Sequence, residues 1–234
     1  MWGFVDCTRY YLSFGIPKIV LHEASIVVGT REKLGLLVPV GGGKSTIIRM
    51  LAGVDRPNSG HVLRDQGGIP LGYGGAFLAD LTGEENIHNL AGLHGVNALT
   101  YSALCHQFSE LEEVYFHPLR EWTGAQRGRL AFAATLGLPA STYLADGKLV
   151  EGDRTFAEKC PAALDERLKT AGLILVASNP RVTENVCDRH AVVMDGKIIQ
   201  CSTYEEAVEL FERNRQEVAD VELVDEELAS FDLA

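Results

Sequence analysis

Residues 34–46 have the sequence LGLLVPVGGGKST, in which a short apolar run leads into a glycine-rich turn and then into Lys44-Ser45-Thr46. The run is typical of a buried strand, and the residues after the turn, Ile47 to Gly53, are typical of a helix that ends at a glycine. Glycines Gly41, Gly42 and Gly43 would let backbone N–H groups converge on an anion without Cβ clashes, and the helix N-terminus would add further donors. This order of elements predicts a phosphate-binding loop.

The predicted loop gives each of its polar residues a role. Lys44 is expected to neutralise the β- and γ-phosphates of a nucleoside triphosphate, Ser45 to ligate Mg²⁺, and Thr46 to contact the α-phosphate. Val38 stands where the usual pattern begins with glycine. A β-branched residue does not readily adopt a positive φ, so we expect a reshaped loop entrance. The alternative is an ordinary glycine turn in front of a helix.

The composition favours an ordered protein without a membrane span. The chain has 234 residues, 46% of them hydrophobic, and its mean hydropathy is +0.03. This is enough material for one large α/β domain, alone or with a subdomain. The apolar runs are far shorter than the ~20 residues that a transmembrane helix needs. Met1 to Asp6 lacks the basic start and long apolar stretch of a secretory signal, so we expect any membrane role to be peripheral.

The charge and the cysteines exclude several classes of function. The formal net charge is −11, and residues 205–234 contain 11 acidic and two basic residues, so the acidity is concentrated in the C-terminal tail. The sequence lacks the basic stripe that is typical of nucleic-acid-binding proteins, so we do not expect nucleic acid as a partner. The acidic tail is interpreted as a solvated helix with a frayed end. The five cysteines form no CxxC pair and the histidines show no metal-ligand spacing, which fits a reducing cytoplasm.

The remaining pattern predicts an α/β fold with a helical insertion. Residues 1 to about 40 are typical of strands, and residues 84 to about 138 are typical of helices inserted between two halves of a sheet. Tyr143-Leu144-Ala145 and Leu173 to Ala177 have the character of buried parallel strands. Asp195-Gly196 predicts a tight hairpin turn, because these residue types accept a positive φ.

Four further stretches are similar, in order and spacing, to a single family. They are residues 45–60 (STIIRMLAGVDRPNSG), 81–86 (LTGEEN), 127–130 (RGRL) and 156–160 (FAEKC). Over about residues 5 to 205, the chain resembles the ATP-binding subunits of ABC transporters, particularly those that export capsular and related polysaccharides.

The resemblance implies an α/β fold with a P-loop NTPase core of ABC type, an antiparallel β subdomain and an inserted helical subdomain. The nucleotide-binding domain is expected over residues 1–210, with the helical subdomain at about 84–138. An acidic C-terminal helix or tail is expected over residues 211–234. Independently of the resemblance, the sequence pattern predicts a helix from about Tyr204 to Ala219 that closes the fold.

The resemblance also assigns site residues, with ATP and Mg²⁺ as the cofactors. It implies that Tyr11 stacks on adenine, although Tyr10 is an alternative and a strand tyrosine packing on the core is the simpler interpretation. It implies that Asp146 holds Mg²⁺ together with Ser45, and that Asp153 lies at a dimer interface. Taken alone, the two aspartates would be interpreted as a strand-end cap and a surface charge.

Residues 122–126, WTGAQ, occupy the place of the signature motif of the family. In the family, this motif uses a helix N-terminus and small residues to contact ATP bound to the opposite subunit. The resemblance therefore places Thr123, Gly124 and Gln126 against nucleotide. Thr123 keeps the hydroxyl and Gly124 keeps a glycine, whereas Ala125 replaces a second glycine.

Three positions that serve hydrolysis in the family are changed, so no catalytic residue is assigned. Gly147 occupies the place of the glutamate that polarises the attacking water, and Ser178 that of the switch histidine. Leu78 falls near the glutamine that senses Mg²⁺ and couples to the membrane subunit. Glu151 is a nearby carboxylate, but its displacement of four residues would require a rebuilt loop. Phosphoryl transfer depends on positioning and charge stabilisation, so we expect ATP binding with impaired hydrolysis.

Three functions are compatible with these residues. The first is the ATP-binding subunit of an ABC exporter for capsular or related surface polysaccharide, peripheral on the cytoplasmic face of the inner cell membrane. It would work with transmembrane permease subunits and dimerise with a copy of itself or with a second ATP-binding subunit. The second is a pseudo-ATPase that scaffolds or regulates a partner ABC subunit. The third is an unrelated P-loop kinase or GTPase, which the signature-like segment and the absence of an Asn-Lys-x-Asp motif disfavour.

Overall fold

The computed structural model describes residues 1–13, 16–150 and 152–215. The strands are β1 (Trp2–Ser13), β2 (Ile16–Val28), β3 (Lys33–Leu37), β4 (Ser59–Leu63), β5 (Gly68–Pro70), β6 (Thr142–Asp146), β7 (Gly172–Ala177), β8 (Arg189–Met194) and β9 (Lys197–Cys201). The helices are α1 (Lys44–Leu51), α2 (Gly83–His94), α3 (Ala98–Ser109), α4 (Gly124–Gly137) and α5 (Arg154–Leu168). They are followed by α6, whose described residues are 204–215.

A six-stranded sheet with the order β5-β6-β7-β3-β8-β9 forms the centre of the protein. Its strands are parallel except for β9, which pairs antiparallel with β8. Strand β3 lies between β7 and β8, with Leu37 opposite both Ala177 and Val192. The predicted α/β class is confirmed, and the predicted parallel strands around Leu144 and Leu175 are β6 and β7.

A second, antiparallel sheet has the order β2-β1-β4. Strands β1 and β2 are longer than the short apolar runs in their sequence, because they form one extended hairpin with several register shifts. Asp6 and Glu23, with φ angles of 47° and 43°, lie in the shifted stretches. Such bulges increase the twist of a hairpin and re-aim its side chains.

Two hydrophobic layers cover the faces of the central sheet. On one face, α1 is packed between the central sheet and the antiparallel sheet, with a core that includes Phe4, Ile47 and Ile174. On the other face, the core joins α2–α5 to residues of β6 and β7 such as Tyr143 and Leu173. Side chains alternate between the two faces along each strand. Leu36 of β3 joins the first core, whereas Leu37 packs in a third, smaller cluster with Val192 and with Phe211 of α6, so the carboxyl end of β3 is anchored on both sides.

The region between β5 and β6 is helical, as the sequence predicted. It contains α2, α3 and α4, and a buried hydroxyl pair ties α3 to the short helix that follows it, with Ser102 Oγ 2.8 Å from Tyr115 Oη. Among the described helices, none is both long and apolar enough to cross a bilayer. The division into a domain over 1–210, a helical subdomain over about 84–138 and a tail over 211–234 stays a prediction.

The hairpin predicted at Asp195-Gly196 is confirmed. Met194 pairs with Lys197, and the two turn residues have φ angles of 49° and 75°. Both angles are positive, as a primed two-residue turn requires. The predicted closing helix is α6, while residues 216–219 of that prediction lie outside the described residues.

Candidate functional site

The glycine-rich loop leaves the carboxyl end of β3 and ends in the first turn of α1. The Val38 N–H donates to the Ala177 carbonyl at 2.8 Å, which continues the pairing of β3 with β7 by one residue. Positive φ angles in the loop occur at Gly41 (80°) and Gly43 (91°), and Val38 has none. The backbone of Val38 therefore does not require the reshaped entrance that we expected.

Glycine is sterically required at Gly43. A Cβ atom built there would lie 2.5 Å from Val20 Cγ1, and the φ of 91° is one that other residues rarely adopt. Because Val20 belongs to β2, the antiparallel sheet closes against the phosphate loop at this residue. The close approach fixes the loop between two sheets.

The N-terminus of α1 has no side-chain cap. By contrast, α2, α3, α4 and α5 are capped by Thr82, Asn97, Thr123 and Asp153. The first N–H groups of a helix have no partner within the helix, so an uncapped start leaves donors and a positive dipole end for an external anion. The loop and α1 together therefore suit a bound phosphate.

Ser45 and Asp146 meet beside this loop. Ser45 lies in the first turn of α1, Asp146 ends β6, and the Ser45 hydroxyl donates to Asp146 Oδ2 at 2.5 Å. Hydroxyl and carboxylate oxygens are hard ligands of the kind that Mg²⁺ prefers, so the two residues fit this ion. When bound, Mg²⁺ would supply positive charge to the phosphates, and Ser45 and Asp146 would hold it.

Two clefts flank the loop. One has a volume of about 350 Å³ and is lined by residues that include Ser45, Arg49, Tyr73 and Asp146. The other has a volume of about 530 Å³ and contains Lys18 from β2, Gly41 from the loop, and Asp195 from the hairpin turn. The loop itself lines only the second of these clefts, and the first opens beside the start of α1.

Lys18 was missed in the sequence. A Cβ atom built on Gly41 would lie 4.0 Å from Lys18 Nζ. Lys18 is exposed and forms no hydrogen bond or ion pair with any part of the chain that the structure describes. Its approach to the loop depends on the register of β1 and β2, in which Lys18 is paired with Tyr11. The only sequence signal for a role of Lys18 is that basic and aromatic residues lie close together in the predicted strands.

Tyr11 and Tyr10 occupy opposite faces of β1. Tyr11 is half-buried, and its hydroxyl lies 3.2 Å from Thr46 Oγ1, which places it beside the start of α1. The Arg9 guanidinium lies over its ring, 4.3 Å from the centroid. Tyr10 is 38% exposed and pairs with Ile19. Of the two candidates for stacking on a base, Tyr11 is the one next to the phosphate loop.

Gly147 and Ser178 lie at the carboxyl ends of adjacent strands. Gly147 follows Asp146, has a φ of 76°, and donates its N–H to the Val176 carbonyl at 2.7 Å. A Cβ atom built on Gly147 would meet nothing within 4 Å. Ser178 directly follows β7 and is partly exposed. Gly147 therefore presents no side chain at the end of β6, and Ser178 presents a hydroxyl at the end of β7.

The signature-like residues form the capped start of α4. The Gln126 N–H donates to Thr123 Oγ1 at 3.3 Å, and the Thr123 N–H donates to Gln126 Oε1 at 2.8 Å, which is a capping box. Thr123, Gly124 and Ala125 are exposed. The Thr123 hydroxyl is therefore engaged within its own turn.

Leu78 lies on an exposed loop that is held by a buried amide. Leu78 is 58% exposed, and its N–H donates to Asn86 Oδ1 at 2.7 Å. The Asn86 Nδ2 atom donates to the carbonyls of Leu78, Leu81 and Thr82. These hydrogen bonds give the loop a defined shape, and the Leu78 side chain, where the resemblance led us to expect glutamine, is apolar.

Asp153 is bound within its own chain. Its carboxylate accepts from the Phe156 N–H at 3.1 Å as the cap of α5, and it pairs with the Arg129 guanidinium of α4. The hydrogen bond from Arg129, followed by the one from Phe156, lowers the pKa of Asp153. Glu151, the other acidic candidate in this loop, lies outside the described residues.

Comparisons with known proteins place these features in a family. No protein-family model matches the sequence. The chain is 33% identical over 205 residues to the capsule polysaccharide export ATP-binding protein CtrD of Neisseria meningitidis, covering 87% of this chain and 95% of that protein. It is 35% identical over 191 residues to the ATP-binding protein BexA of Haemophilus influenzae, covering 81% and 88%.

Solved structures agree on the fold. A dimeric structure of the ATP-binding cassette MJ0796, described as a post-hydrolysis state bound to ADP and Pi, aligns with a TM-score of 0.71. The alignment covers 85% of this chain and 96% of that chain at 20% identity, which supports the fold alone. Since two relatives exceed 30% identity across most of their length, the chain belongs to the family of ABC-type ATP-binding proteins of polysaccharide exporters.

Proposed function

We propose that this chain is the ATP-binding subunit of an exporter of capsular or related surface polysaccharide, and that it binds Mg²⁺-ATP but hydrolyses it slowly or not at all. Binding is supported by the uncapped start of α1, the loop closed at Gly43, and the Ser45–Asp146 pair. Lys44 and the loop N–H groups would hold the phosphates. Thr46 would approach the α-phosphate through its N–H, because Tyr11 and Arg49 engage its hydroxyl.

The backbone at Gly147 is the observation that carries the second half of the proposal. General-base assistance typically contributes roughly 100- to 10,000-fold to a rate. Gly147 offers no group to polarise water, and its φ of 76° is left-handed. A glutamate there would carry a conformational penalty of roughly 1–2 kcal/mol. Gly147 therefore differs from a water-activating glutamate in its backbone conformation as well as in its missing side chain.

The site architecture supports two modes of assembly. Thr123, Gly124 and Gln126 are exposed or partly exposed at the start of α4, where they could face nucleotide on a second subunit. In the first mode, two copies of this chain share the same altered sites. In the second, a competent ATP-binding subunit completes one site, and this chain acts as a pseudo-ATPase. In both modes, we place the complex at the cytoplasmic face of the inner membrane, with permease subunits.

Purified protein should be tested for ATP affinity and turnover, as wild type and as Gly147→Glu combined with Ser178→His. The matched control is Gly147→Gln with Ser178→His, because glutamine has the size of glutamate but no carboxylate. Three glutamates in this chain, Glu23, Glu110 and Glu112, adopt positive φ angles, so the Gly147→Glu variant is expected to fold.

We expect saturable ATP binding by the wild type, with turnover no higher than that of the glutamine control. Rapid wild-type turnover would contradict impaired hydrolysis. No binding at millimolar ATP, with Lys44→Ala as the reference for lost binding, would contradict the nucleotide site. Turnover that appears only after addition of a second subunit would favour the composite assembly.

A further inference from the structure

Three polar groups around α1 hold the hydroxyl of Tyr11. The hydroxyl lies 3.2 Å from Thr46 Oγ1, donates to Asp55 Oδ2 at 3.2 Å, and accepts from Arg49 Nη2 at 3.3 Å. Arg49 Nε also donates to Asp55 Oδ2 at 3.0 Å, and its Nη2 donates to Thr46 Oγ1 at 3.3 Å. Tyr11, Arg49, Asp55 and Thr46 therefore form a closed set of contacts, which we call the tyrosine clamp.

The tyrosine clamp fixes the ring as well as the hydroxyl. Tyr11 packs against the core around α1, and Arg9 covers part of its ring. Its strand partner is Lys18, whose ammonium approaches Gly41 of the phosphate loop. The ring is thus held in one orientation close to the loop before any ligand arrives. Such preorganisation reduces the ordering cost of binding.

We propose that Arg49 and Asp55 are positioning residues, which fix Tyr11 as the platform for the base of a bound nucleotide and do not contact the nucleotide themselves. The inference rests on the proposed nucleotide site and adds to it. It also gives a physical role to two residues in the family-like stretch 45–60 that the phosphate loop does not use.

The contacts of Arg49 argue against a direct phosphate role. Its guanidinium is shared among Asp55, Tyr11 and Thr46, and the Asp55 carboxylate neutralises its charge. The hydrogen bond to Asp55, followed by the one to Tyr11, raises the pKa of Arg49. The Nε and Nη2 atoms of Arg49 are therefore committed to Asp55, Tyr11 and Thr46 rather than to a phosphate.

The test compares two ligands that differ in the presence of a base. Calorimetric binding of ATP and of inorganic tripolyphosphate should be measured for the wild type, Arg49→Met, Tyr11→Phe and the double variant. We expect Arg49→Met to weaken ATP binding about tenfold and to leave tripolyphosphate binding unchanged. Tyr11→Phe keeps the ring but loses the hydroxyl, so it should weaken ATP binding similarly, and the double variant should show no further loss.

Arg31→Met is the matched control, because Arg31 is an exposed turn residue without a hydrogen bond or ion pair to the described residues. An equal loss for both ligands in Arg49→Met would make Arg49 a phosphate ligand and overturn the proposal. Unchanged ATP binding would also overturn it. If the wild type bound neither ligand, the nucleotide site itself would be refuted and this inference with it.

A spectroscopic readout separates positioning from a general structural role. Burial raises the pKa of Tyr11, but the contacts with Thr46, Arg9 and Arg49 together bring it below the ordinary tyrosine value. The ultraviolet titration difference between the wild type and Tyr11→Phe reports this phenol. The Arg49→Met background should shift its titration to higher pH, and an unshifted titration would count against the tyrosine clamp.

Discussion

The Ser45 hydroxyl and the Asp146 carboxylate are 2.5 Å apart, although 101 positions of sequence separate them. Ser45 is brought there by the glycine loop after β3, and Asp146 by the end of β6. Because β7 lies between these two parallel strands, their carboxyl ends open on the same edge of the sheet. The pair places two oxygen atoms beside the N-terminus of α1, an arrangement that fits the proposed binding of Mg²⁺ and phosphate.

Replacing Asp146 with asparagine should remove the contribution of magnesium to nucleotide binding. We expect Asp146→Asn to weaken ATP binding in the presence of Mg²⁺ by about ten- to a hundredfold, with little change in EDTA. The substitution removes the negative charge that would hold Mg²⁺. Calorimetry with and without Mg²⁺ measures the difference. Asp165→Asn, an exposed carboxylate on α5, is the control. An equal loss in EDTA would argue against a metal role.

The sequence alone predicted the glycine loop, the hairpin turn and the parallel strands, because these features are local or depend on the order of the elements. The loop, the hairpin at Asp195-Gly196 and the parallel strands each have a short-range pattern, and the family resemblance supplied Asp146. The tyrosine clamp could not be predicted, since Tyr11 reaches Arg49 and Asp55 only through the register of a bulged hairpin. The approach of Lys18 to Gly41 has the same origin. Register shifts are set by tertiary packing, which the sequence pattern does not reveal.

Gly147→Ala should destabilise the fold for conformational reasons alone. The space above Gly147 is open, so no clash contributes, but its φ of 76° is unfavourable for alanine. We expect a loss of about 1–2 kcal/mol in the free energy of unfolding, measured by chemical denaturation. Gly92→Ala is the matched control: Gly92 lies in α2, also in open space, and should gain roughly 0.5–1 kcal/mol. A neutral Gly147→Ala would show that the left-handed backbone is not retained.

Asp153→Asn should change the pH dependence of stability. Asparagine can still cap α5, so the substitution removes mainly the ion pair with Arg129. The hydrogen bond from Arg129 holds the pKa of Asp153 below its unfolded value, so its stabilisation is present above that value and is lost as the pH falls through the folded pKa.

At pH 7, the wild type should therefore melt at a higher temperature than Asp153→Asn, and the gap should close below about pH 4. Thermal unfolding followed by circular dichroism across this range measures the gap. A difference that stays constant with pH would assign the effect to the cap and not to the ion pair. The outcome also bears on the dimer interface, because a carboxylate already paired within its own chain is less available to a partner.

Lys18→Met tests whether the hairpin contributes charge to the phosphate site. The Lys18 ammonium lies near Gly41 and has no partner among the described residues. A unit charge at about 4 Å from a phosphate is worth roughly 1 kcal/mol in water, so we expect ATP and tripolyphosphate affinities to fall about fivefold each.

The loss of affinity should shrink as salt is raised from low ionic strength, because screening weakens the interactions of exposed charges. Lys169→Met controls for net charge: Lys169 follows the last residue of α5 and pairs with Glu166. Loss of ATP affinity alone would assign Lys18 to the base or ribose, and unchanged affinity at low salt would remove it from the site.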